Sequence, residues 1–356
     1  MTEYEDIFSK DSSDLGKSGL LEHAIDTADC KPVKQPPRQV PPYQREVIDQ
    51  QLGELLTTGQ IEPSQSPGSS PVVLARKHDS TYRVCIDYRK VNQLTQKHAI
   101  PLPRTNAVLE ALGGAHWFPS LDLASGYWQM QVKEEDRPKT AFSTHKGQFH
   151  WRVMPFGLTN GPASFTGLMN LPLSGLSWTH GLVHLDDIII WASTFENHIH
   201  RLRLVFDHMR MAGLKQKPTK CHFLQKEVTF LGHVVSADGI KTDPEKVKAV
   251  KTEPVSVNLK ELQSFLGLAG YNRKFILGFS SIAEPLYTLC RKNIPFSWQQ
   301  EQQAAFEELE DRLVSAPILA YPDFSPIAGS FILDTDASQY LGIVAVLSQQ
   351  QPDGTE

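Results

Sequence analysis

Two adjacent aspartates inside an apolar run constrain the fold of this chain more than any other feature of its sequence. Asp186 and Asp187 divide the segment Gly181–Trp191, GLVHLDDIIIW, into two apolar halves, a pattern typical of two β-strands joined by an acidic turn. Neighbouring residues of a regular strand point to opposite faces, whereas at a hairpin turn both side chains can lie near one site. Because carboxylates beside apolar strands are costly unless cations neutralise them, this turn is a candidate metal site.

A second acidic strand is predicted upstream, at Ser120–Leu123, SLDL. Asp122 stands between two leucines, so it is either buried and paired or functional. If the two strands are neighbours in one sheet, Asp122 joins Asp186 and Asp187 in a cluster that can hold two metal ions about 3.5–4 Å apart, as phosphoryl-transfer sites do. Magnesium suits such a cluster because it takes oxygen ligands and keeps positions for substrate phosphates. The two motifs alone also allow an exposed Asp-Asp turn and an unrelated core aspartate.

Length and composition limit the class of protein. A chain of 356 residues with 40% hydrophobic residues can form two or three compact units. Its four cysteines form no CxxC pair, which argues against a disulfide framework or a structural zinc site and favours a reducing intracellular compartment, either cytoplasm or nucleus. No run reaches the ~18 apolar residues of a membrane helix, and the acidic N-terminus is unlike a secretory signal, so no membrane partner is expected.

The charge distribution is uneven along the chain. A formal net charge of -5 counts against a nucleic-acid binder, although positive charge can be local. Residues 201–226 contain a cluster of arginines and lysines that is opposed by Asp207 alone. A solvated helix face is the favoured interpretation of this run.

Hydrophobic periodicity predicts an α+β fold followed by a mostly helical region. The expected elements, in chain order, are a helix at 43–58, a hairpin formed by 72–74 and 82–88, a helix at 196–214, helices around 259–269 and 306–313, and strands at 330–347. The sequence contains no internal repeat and no low-complexity tract.

The order of motifs along the chain closely resembles the reverse transcriptases of gypsy-type long-terminal-repeat retrotransposons. The likeness runs from about His23 to Gln349 and includes both acidic segments. The motifs, in order, are SPVVLARKHDSTYRVCIDYRKVNQLT, PLPR, LDLASGYWQM, KTAFST, MPFGLTNGPASF, LVHLDDIII, FLGHVVSADGI, FLGLAGYNRKFI and TDAS. One such motif would be weak support for a family, whereas the whole series in the family's order is specific. The resemblance predicts a fragment of a Pol polyprotein.

The resemblance implies a right-hand polymerase fold of fingers, palm and thumb, followed by a connection region and the truncated start of an RNase H-like domain. A polar, proline-rich lead-in precedes these parts. The expected divisions are the lead-in at 1–37, fingers at 38–97 and 130–159, palm at 98–129 and 160–238, thumb at 239–291, connection at 292–327 and an incomplete RNase H-like segment at 328–356.

The resemblance also implies the chemistry, which is RNA-directed DNA polymerisation. Asp122, Asp186 and Asp187 match the palm metal ligands of the family, and the carbonyl of Leu123 is a candidate further ligand. The expected cofactors are two Mg²⁺ ions, with Mn²⁺ as a substitute. They would lower the pKa of the primer 3′-hydroxyl, which attacks the α-phosphate of a deoxynucleoside triphosphate opposite an RNA or DNA template, and pyrophosphate leaves.

Four residues match nucleotide-binding positions of the family. Arg83 matches the fingers arginine that clamps the triphosphate, a task suited to the forked donors of a guanidinium, and Lys77 is a candidate second clamp. Tyr127 matches the aromatic gate that presses on the sugar C2′ and rejects a 2′-hydroxyl, and Phe156 would line the pocket. Without the resemblance, the two charges are typical of a solvated hairpin and Tyr127 is typical of an apolar core.

Three residues match the primer–template region. Leu231 and Gly232 match the segment that grips the primer end, where a glycine lets two backbones approach closely. His184 is a departure, because the family usually has an aromatic residue, commonly tyrosine, two residues before the aspartate pair. Since that tyrosine supports the primer–template, we expect weakened activity rather than a lost metal site. The alternative function is a catalytically weakened or inactive retroelement-derived protein that still binds primer–template.

The last strand resembles the first strand of RNase H, and Asp336 matches its first metal carboxylate. Residues 342–344, Gly-Ile-Val, depart from the usual Gly-x-Gly, and the family's remaining acidic ligands belong to elements beyond residue 356. We therefore expect no RNase H activity from these residues and assign that activity to a longer parent polyprotein. The sequence leaves the oligomeric state and the primer open.

Overall fold

The computed structural model divides the chain into two compact units. The first contains residues 1–104 and 119–224, and the second contains 105–118 and 225–356. The residues that the structure describes are 2–76, 82–100, 104–184, 187–252, 258–323, 328–338 and 342–350. Lys77 and Asp186 therefore lie outside the described residues, and of His184 and Asp336 the backbone alone is described.

The elements agree with the predicted α+β fold followed by helices. The described strands are β1 Ser18–His23, β2 Ile61–Pro63, β3 Ser70–Arg76, β4 Tyr82–Ile86, β5 Ser120–Asp122, β6 Met130–Val132, β7 Phe142–Thr144, β8 Gly147–Trp151, β9 Gly181–His184, β10 Asp187–Ile190, β11 Glu227–Phe230, β12 His233–Ser236, β13 Gly239–Thr242, β14 Phe331–Ser338 and β15 Gly342–Gln349. The described α-helices are α1 Pro42–Thr57, α2 Arg89–Leu94, α3 Thr105–Glu110, α4 Gly161–Asn170, α5 Phe195–Met211, α6 Pro244–Thr252, α7 Leu259–Tyr271, α8 Phe279–Leu289 and α9 Gln300–Val314. Short 3₁₀ helices span Thr2–Ile7, Gly126–Gln129, Glu134–Thr140, Pro218–Lys220 and Arg273–Phe275.

In the first unit, a five-stranded sheet has the order β2-β8-β7-β3-β4. β3 and β4 form the predicted antiparallel hairpin, in which Arg83 lies opposite Ala75. Ile48 and Leu52 of α1 are four residues apart, so they share one helix face, and both are buried in the core that covers this sheet. The hairpin that carries Arg83 is therefore anchored by a packed hydrophobic core.

A second sheet of the first unit has the order β5-β10-β9. Ile188, Ile189 and Ile190 of β10 are fully buried, so both faces of this strand are covered. Ile188 and Ile190 share a face and belong to a core that includes Phe165 of α4 and Val205 of α5. The two predicted strands are thus confirmed as β9 and β10, whereas the predicted turn at 185–186 lies outside the described residues.

The N-terminal residues, predicted as a polar lead-in, pack onto the first unit. Tyr4 and Ile7 in the 3₁₀ helix Thr2–Ile7 are buried in the same core as α5. The guanidinium of Arg210, from the basic run, forms an ion pair with Asp6 at 2.6 Å. Local sequence patterns did not predict this docking, because the acidic segment and its basic partners are far apart along the chain.

The second unit contains the antiparallel sheet β11-β12-β13 and the separate hairpin β14–β15. Its helices α7, α8 and α9 have a core of their own, in which the ring centroids of Phe265 and Phe306 are 4.3 Å apart. The predicted helices around 259–269 and 306–313 are confirmed as α7 and α9. Among the helices of the described ranges, none combines the length and apolar character needed to cross a membrane.

Candidate active site

The register of the β5-β10-β9 sheet brings two of the predicted metal-binding aspartates together. β5 and β10 are antiparallel neighbours, and Asp122 lies directly opposite Asp187. Directly opposed residues of an antiparallel pair have their side chains on the same face, with Cα atoms about 4.5–5.5 Å apart. On the other side of β10, the backbone of His184 lies opposite Asp187. Asp186, outside the described residues, directly precedes Asp187 in the sequence.

The surroundings of Asp122 are polar and partly open to solvent. Its carboxylate accepts a hydrogen bond from the Lys220 ammonium at 2.9 Å, and the two side chains are 21% and 56% exposed. Asp187 is exposed. The carboxylates can therefore be reached by a hydrated cation, and the existing ion pair is solvent-screened and weak.

The donor set suits a hard cation. The thiol of Cys221 lies 3.9 Å from the backbone oxygen of Asp122, and burial raises the pKa of this thiol to about 11. The sulfur is therefore protonated near neutral pH and offers no thiolate. Carboxylate oxygens are ligands that Mg²⁺ and Mn²⁺ prefer. Within the described ranges, which exclude Asp186, no group of three or more His, Cys, Asp or Glu side chains could hold a metal ion.

Three of the predicted nucleotide-binding residues form a continuous stack. The Arg83 guanidinium lies 5.9 Å from the centroid of the Phe156 ring. The Phe156 ring stacks on Tyr127, with centroids 5.1 Å apart and an interplanar angle of 20°. Arg83 and Phe156 are exposed, whereas Tyr127 is half-buried. The fourth residue, Lys77, lies outside the described residues.

The position of Tyr127 depends on a sharp reversal of the chain after β5. Ser125 has a positive φ of 50°, and the 3₁₀ helix Gly126–Gln129 follows at once. A Cβ atom at Gly126 would lie 2.7 Å from Cζ of Phe165, so a side chain at this position requires the buried ring to move. This close approach lets the Tyr127 ring pack on Phe165 at a centroid distance of 5.1 Å.

In the second unit, the predicted primer-binding residues form the turn between β11 and β12. Leu231 and Gly232 have φ values of 48° and 68°, which are typical of a two-residue hairpin turn. The Tyr271 hydroxyl donates to the Leu231 carbonyl at 2.6 Å. A Cβ atom at Gly232 would lie 2.1 Å from Nζ of Lys246, the end of a flexible side chain that can move, so the positive φ is the main reason for a glycine here.

Lys220 is a candidate functional residue that the sequence did not reveal. It belongs to the basic run at 201–226, for which a solvated helix face was the favoured interpretation. The structure instead places it in the 3₁₀ helix Pro218–Lys220, beside Asp122. No local pattern links these two residues, because the link depends on how the two segments pair. Asp336, whose side chain is not described, lies in β14 opposite Val344.

Two known protein families match parts of this chain. The family described as reverse transcriptase (RNA-dependent DNA polymerase) matches residues 75–235, a range that contains Asp122, Asp186 and Asp187. A second family, the RNase H-like domain found in reverse transcriptase, matches residues 298–356.

Two curated relatives illustrate the sequence likeness. The chain is 40% identical to the retrovirus-related Pol polyprotein from transposon 297 of Drosophila melanogaster, over 98% of this chain and 33% of that protein. It is 36% identical to the Pol polyprotein from transposon gypsy of the same organism, over 85% of this chain and 31% of that protein. The chain therefore spans about a third of the length of these relatives.

Solved structures support the predicted right-hand polymerase fold. A foamy viral protease-reverse transcriptase in complex with double-stranded DNA has a TM-score of 0.86 and 25% identity, covering 99% of this chain and 64% of that one. The complex of this type of protein with an RNA/DNA hybrid has a TM-score of 0.84 and 25% identity, covering 98% of this chain and 49% of that one. Together with the family match around the paired carboxylates, these findings show that residues 75–235 belong to the reverse transcriptase family and that the chain is similar to retrotransposon Pol polyproteins of the gypsy type.

Proposed function

We propose that the chain is an RNA-directed DNA polymerase that adds deoxynucleotides to a primer 3′-hydroxyl on an RNA or DNA template. The observation that carries this proposal is the β5–β10 register, in which Asp122 lies opposite Asp187. Family membership and the likeness to polymerases bound to DNA or to an RNA/DNA hybrid support the same activity.

Asp122, Asp186 and Asp187 would hold the divalent cations, with Mg²⁺ preferred, Mn²⁺ as a substitute and the Leu123 carbonyl as a further oxygen donor. Bound cations supply a lowered pKa for the primer hydroxyl and charge stabilisation for the phosphates. The aspartates hold this positive charge at one edge of a rigid sheet. Lys220 neutralises Asp122, and because its ammonium is exposed and the ion pair is weak, it would leave the carboxylate free to hold a cation at little cost.

Arg83, Phe156 and Tyr127 would form the nucleotide pocket. The exposed Arg83 guanidinium can donate paired hydrogen bonds to phosphate oxygens, and Phe156 beneath it keeps the guanidinium oriented. Tyr127 is held from both sides by Phe156 and Phe165, so its ring resists displacement by a sugar 2′-hydroxyl. Deoxynucleotides are therefore expected to be preferred over ribonucleotides. Leu231 and Gly232 would contact the primer through a turn that Tyr271 restrains.

Primer extension tests the proposed activity. Wild-type chain with Mg²⁺ and an RNA template should lengthen a labelled DNA primer, and Asp187→Asn should not. Asp238→Asn is a matched control, because Asp238 is also an exposed aspartate at a β-hairpin loop, between β12 and β13. Loss of extension in both variants, or in neither, would contradict the assignment of Asp187.

The alternative, a weakened or inactive protein that still binds primer–template, rests on His184 and is not favoured by the family membership. If His184 weakens the support of the primer–template, His184→Tyr should extend primers faster than the wild type. Equal rates would remove His184 as a reason for low activity. Binding of a primer–template without extension by either form would select the alternative.

A further inference from the structure

Gln129 joins two backbone segments that are distant along the chain. Its side chain is fully buried. The amide nitrogen donates to the carbonyls of Ala124 and Lys215, both at 2.8 Å, and the amide oxygen accepts from the Lys215 N–H at 2.8 Å. One side-chain amide thus uses both of its donors and its acceptor on backbone groups.

The two joined segments include the backbone of Asp122. The Asp122 carbonyl accepts from the Lys217 N–H at 2.9 Å, and the Ala124 N–H donates to the Lys215 carbonyl at 3.1 Å. Leu123 and Gln216 form an isolated antiparallel bridge between these bonds. The segment after α5 therefore fixes β5 from the side opposite β10. The backbone pairing between these two segments ends at Ser125, which has a left-handed conformation. Beyond that point, the Gln129 side-chain amide supplies the hydrogen bonds that link the segments.

Residues 14–16, near the N-terminus, pack against the Gln129 side-chain amide and Lys215. A Cβ atom at Gly16 would lie 2.2 Å from the Gln129 amide oxygen and 2.7 Å from the Lys215 nitrogen. Asp14, two residues earlier, pairs with the Lys215 ammonium. The amide is thus packed against backbone on several sides. Buried polar groups that lose such partners are costly, so the three bonds hold the segments in one arrangement.

We propose that Gln129 is a positioning residue for the metal site: it fixes the strand end from which the Asp122 carboxylate projects toward Asp187. This role rests on the proposed function, since it matters for catalysis only if Asp122 binds the cations. Gln129 does not touch the carboxylate. It acts through the backbone of Ala124 and Lys215. Groups bonded directly to a metal ligand change metal affinity or activity about 10- to 100-fold when they are replaced, so for this indirect partner we expect the lower end, about tenfold.

Gln129→Met and Gln148→Met form a matched pair of variants. Methionine is close to glutamine in size but makes none of its hydrogen bonds. Gln148 also donates its amide to two backbone carbonyls, those of Ser66 and Gly68 at 3.1 and 2.6 Å, but it lies in β8 of the other sheet. Both variants lose amide-to-backbone bonds, and Gln129→Met alone should disturb Asp122. Gln129→Glu is a second variant, because its carboxylate oxygen would face two carbonyl oxygens.

Two readouts separate positioning from stability. Electron paramagnetic resonance should show Mn²⁺ binding that Asp122→Asn removes, and Gln129→Met should weaken this binding about tenfold, the lower end of the effect of direct ligand partners. In primer extension, Gln129→Met should raise the Mg²⁺ requirement and lower kcat, with KM for the nucleotide unchanged. Gln148→Met should lower Tm and leave both readouts at their wild-type values. Gln129→Glu should resemble Gln129→Met.

The proposal is overturned if Gln129→Met and Gln148→Met have the same Mn²⁺ affinity and the same Mg²⁺ requirement. A wild-type chain that binds Mn²⁺ through Asp122 but extends no primer would refute the proposed function, and the Mn²⁺ affinities would still decide the role of Gln129. Mn²⁺ binding that Asp122→Asn leaves unchanged would overturn both.

Discussion

The sheet that carries Asp122 and the hairpin that carries Asp336 look alike in sequence and differ in packing. In both, a leucine precedes the aspartate within a β-strand: Leu121 comes directly before Asp122 in β5, SLD, and Leu333 comes three residues before Asp336 in β14, FILDTD. Leu121 is 1% exposed, whereas Leu333 is 62% exposed and lies opposite Leu347, which is 65% exposed. The same local pattern therefore gives a buried strand in the first unit and an exposed apolar face in the described part of the second.

The difference shows what turns an acidic strand into a site. β10 pairs with β5 on one edge and β9 on the other, and α4 and α5 contribute to the core beneath them. This packing fixes the backbone, so two carboxylates are held in register. The described residues of the β14–β15 hairpin have only each other as strand partners. An isolated two-stranded hairpin is marginally stable in water, so it is a less rigid base for charged ligands.

The largest expected contrast is catalytic. Asp122→Asn should lower primer extension on the order of a thousandfold, because loss of a metal ligand removes several kcal/mol of charge stabilisation. Asp336→Asn should leave primer extension unchanged. Steady-state primer extension with purified variants measures both. Equal losses of primer extension in the two variants would show that both acidic strands contribute to polymerisation, and the contrast between the sheet and the hairpin would be wrong.

The next contrast concerns stability. Leu121→Ala should lower the free energy of unfolding by about 2–5 kcal/mol, because it leaves a cavity in a packed core. Leu333→Ala should cost less than about 0.5 kcal/mol, since the side chain is already mostly in water. Denaturant unfolding of the two variants beside the wild type provides the measurement. A large loss of unfolding free energy in Leu333→Ala would show that the Leu333 side chain is buried in solution and would contradict the contrast.

The smallest expected effect is a pH dependence of stability that comes from buried histidines outside the β14–β15 hairpin. Burial, helped by the charge of His98 and opposed by Asp136, lowers the pKa of His23 in β1 from 6.5 to about 4. The unfolded chain then binds more protons between these values, so stability is fully present above about pH 6.5 and is lost as the pH falls toward 4. The sequence at 328–350 contains no histidine, so the hairpin makes no such contribution.

Replacement of the histidine tests this sign. His23→Gln can keep a hydrogen bond to Ser164, whose hydroxyl lies 2.9 Å from Nδ1 of His23, but it does not titrate. Its free energy of unfolding should fall by roughly 1–3 kcal/mol less than that of the wild type between pH 7 and pH 4.5. His233→Gln in the second unit should reduce the pH dependence in the same direction, because burial also lowers the pKa of this histidine to about 4. If the free energy of unfolding of His23→Gln changes with pH as steeply as that of the wild type, the pH dependence does not come from His23.

The sequence by itself determined the elements that depend on nearby residues. The β3–β4 hairpin, the strands on either side of the paired aspartates and the helices α5, α7 and α9 follow from local apolar periodicity, which is a property of short segments. The order of motifs determined the family and the candidate residues Asp122, Asp187, Arg83, Tyr127 and Phe156, because each motif is a contiguous string.

Only the tertiary structure decided which of these segments meet. Asp122 lies opposite Asp187, Lys220 pairs with Asp122, and Gln129 bonds to Lys215, although each pair is far apart in sequence. Strand register and the docking of the N-terminal residues depend on the whole core, because one arrangement of the segments buries their apolar faces together. Short segments do not determine that arrangement, since the leucine before the aspartate is buried in β5 and exposed in β14.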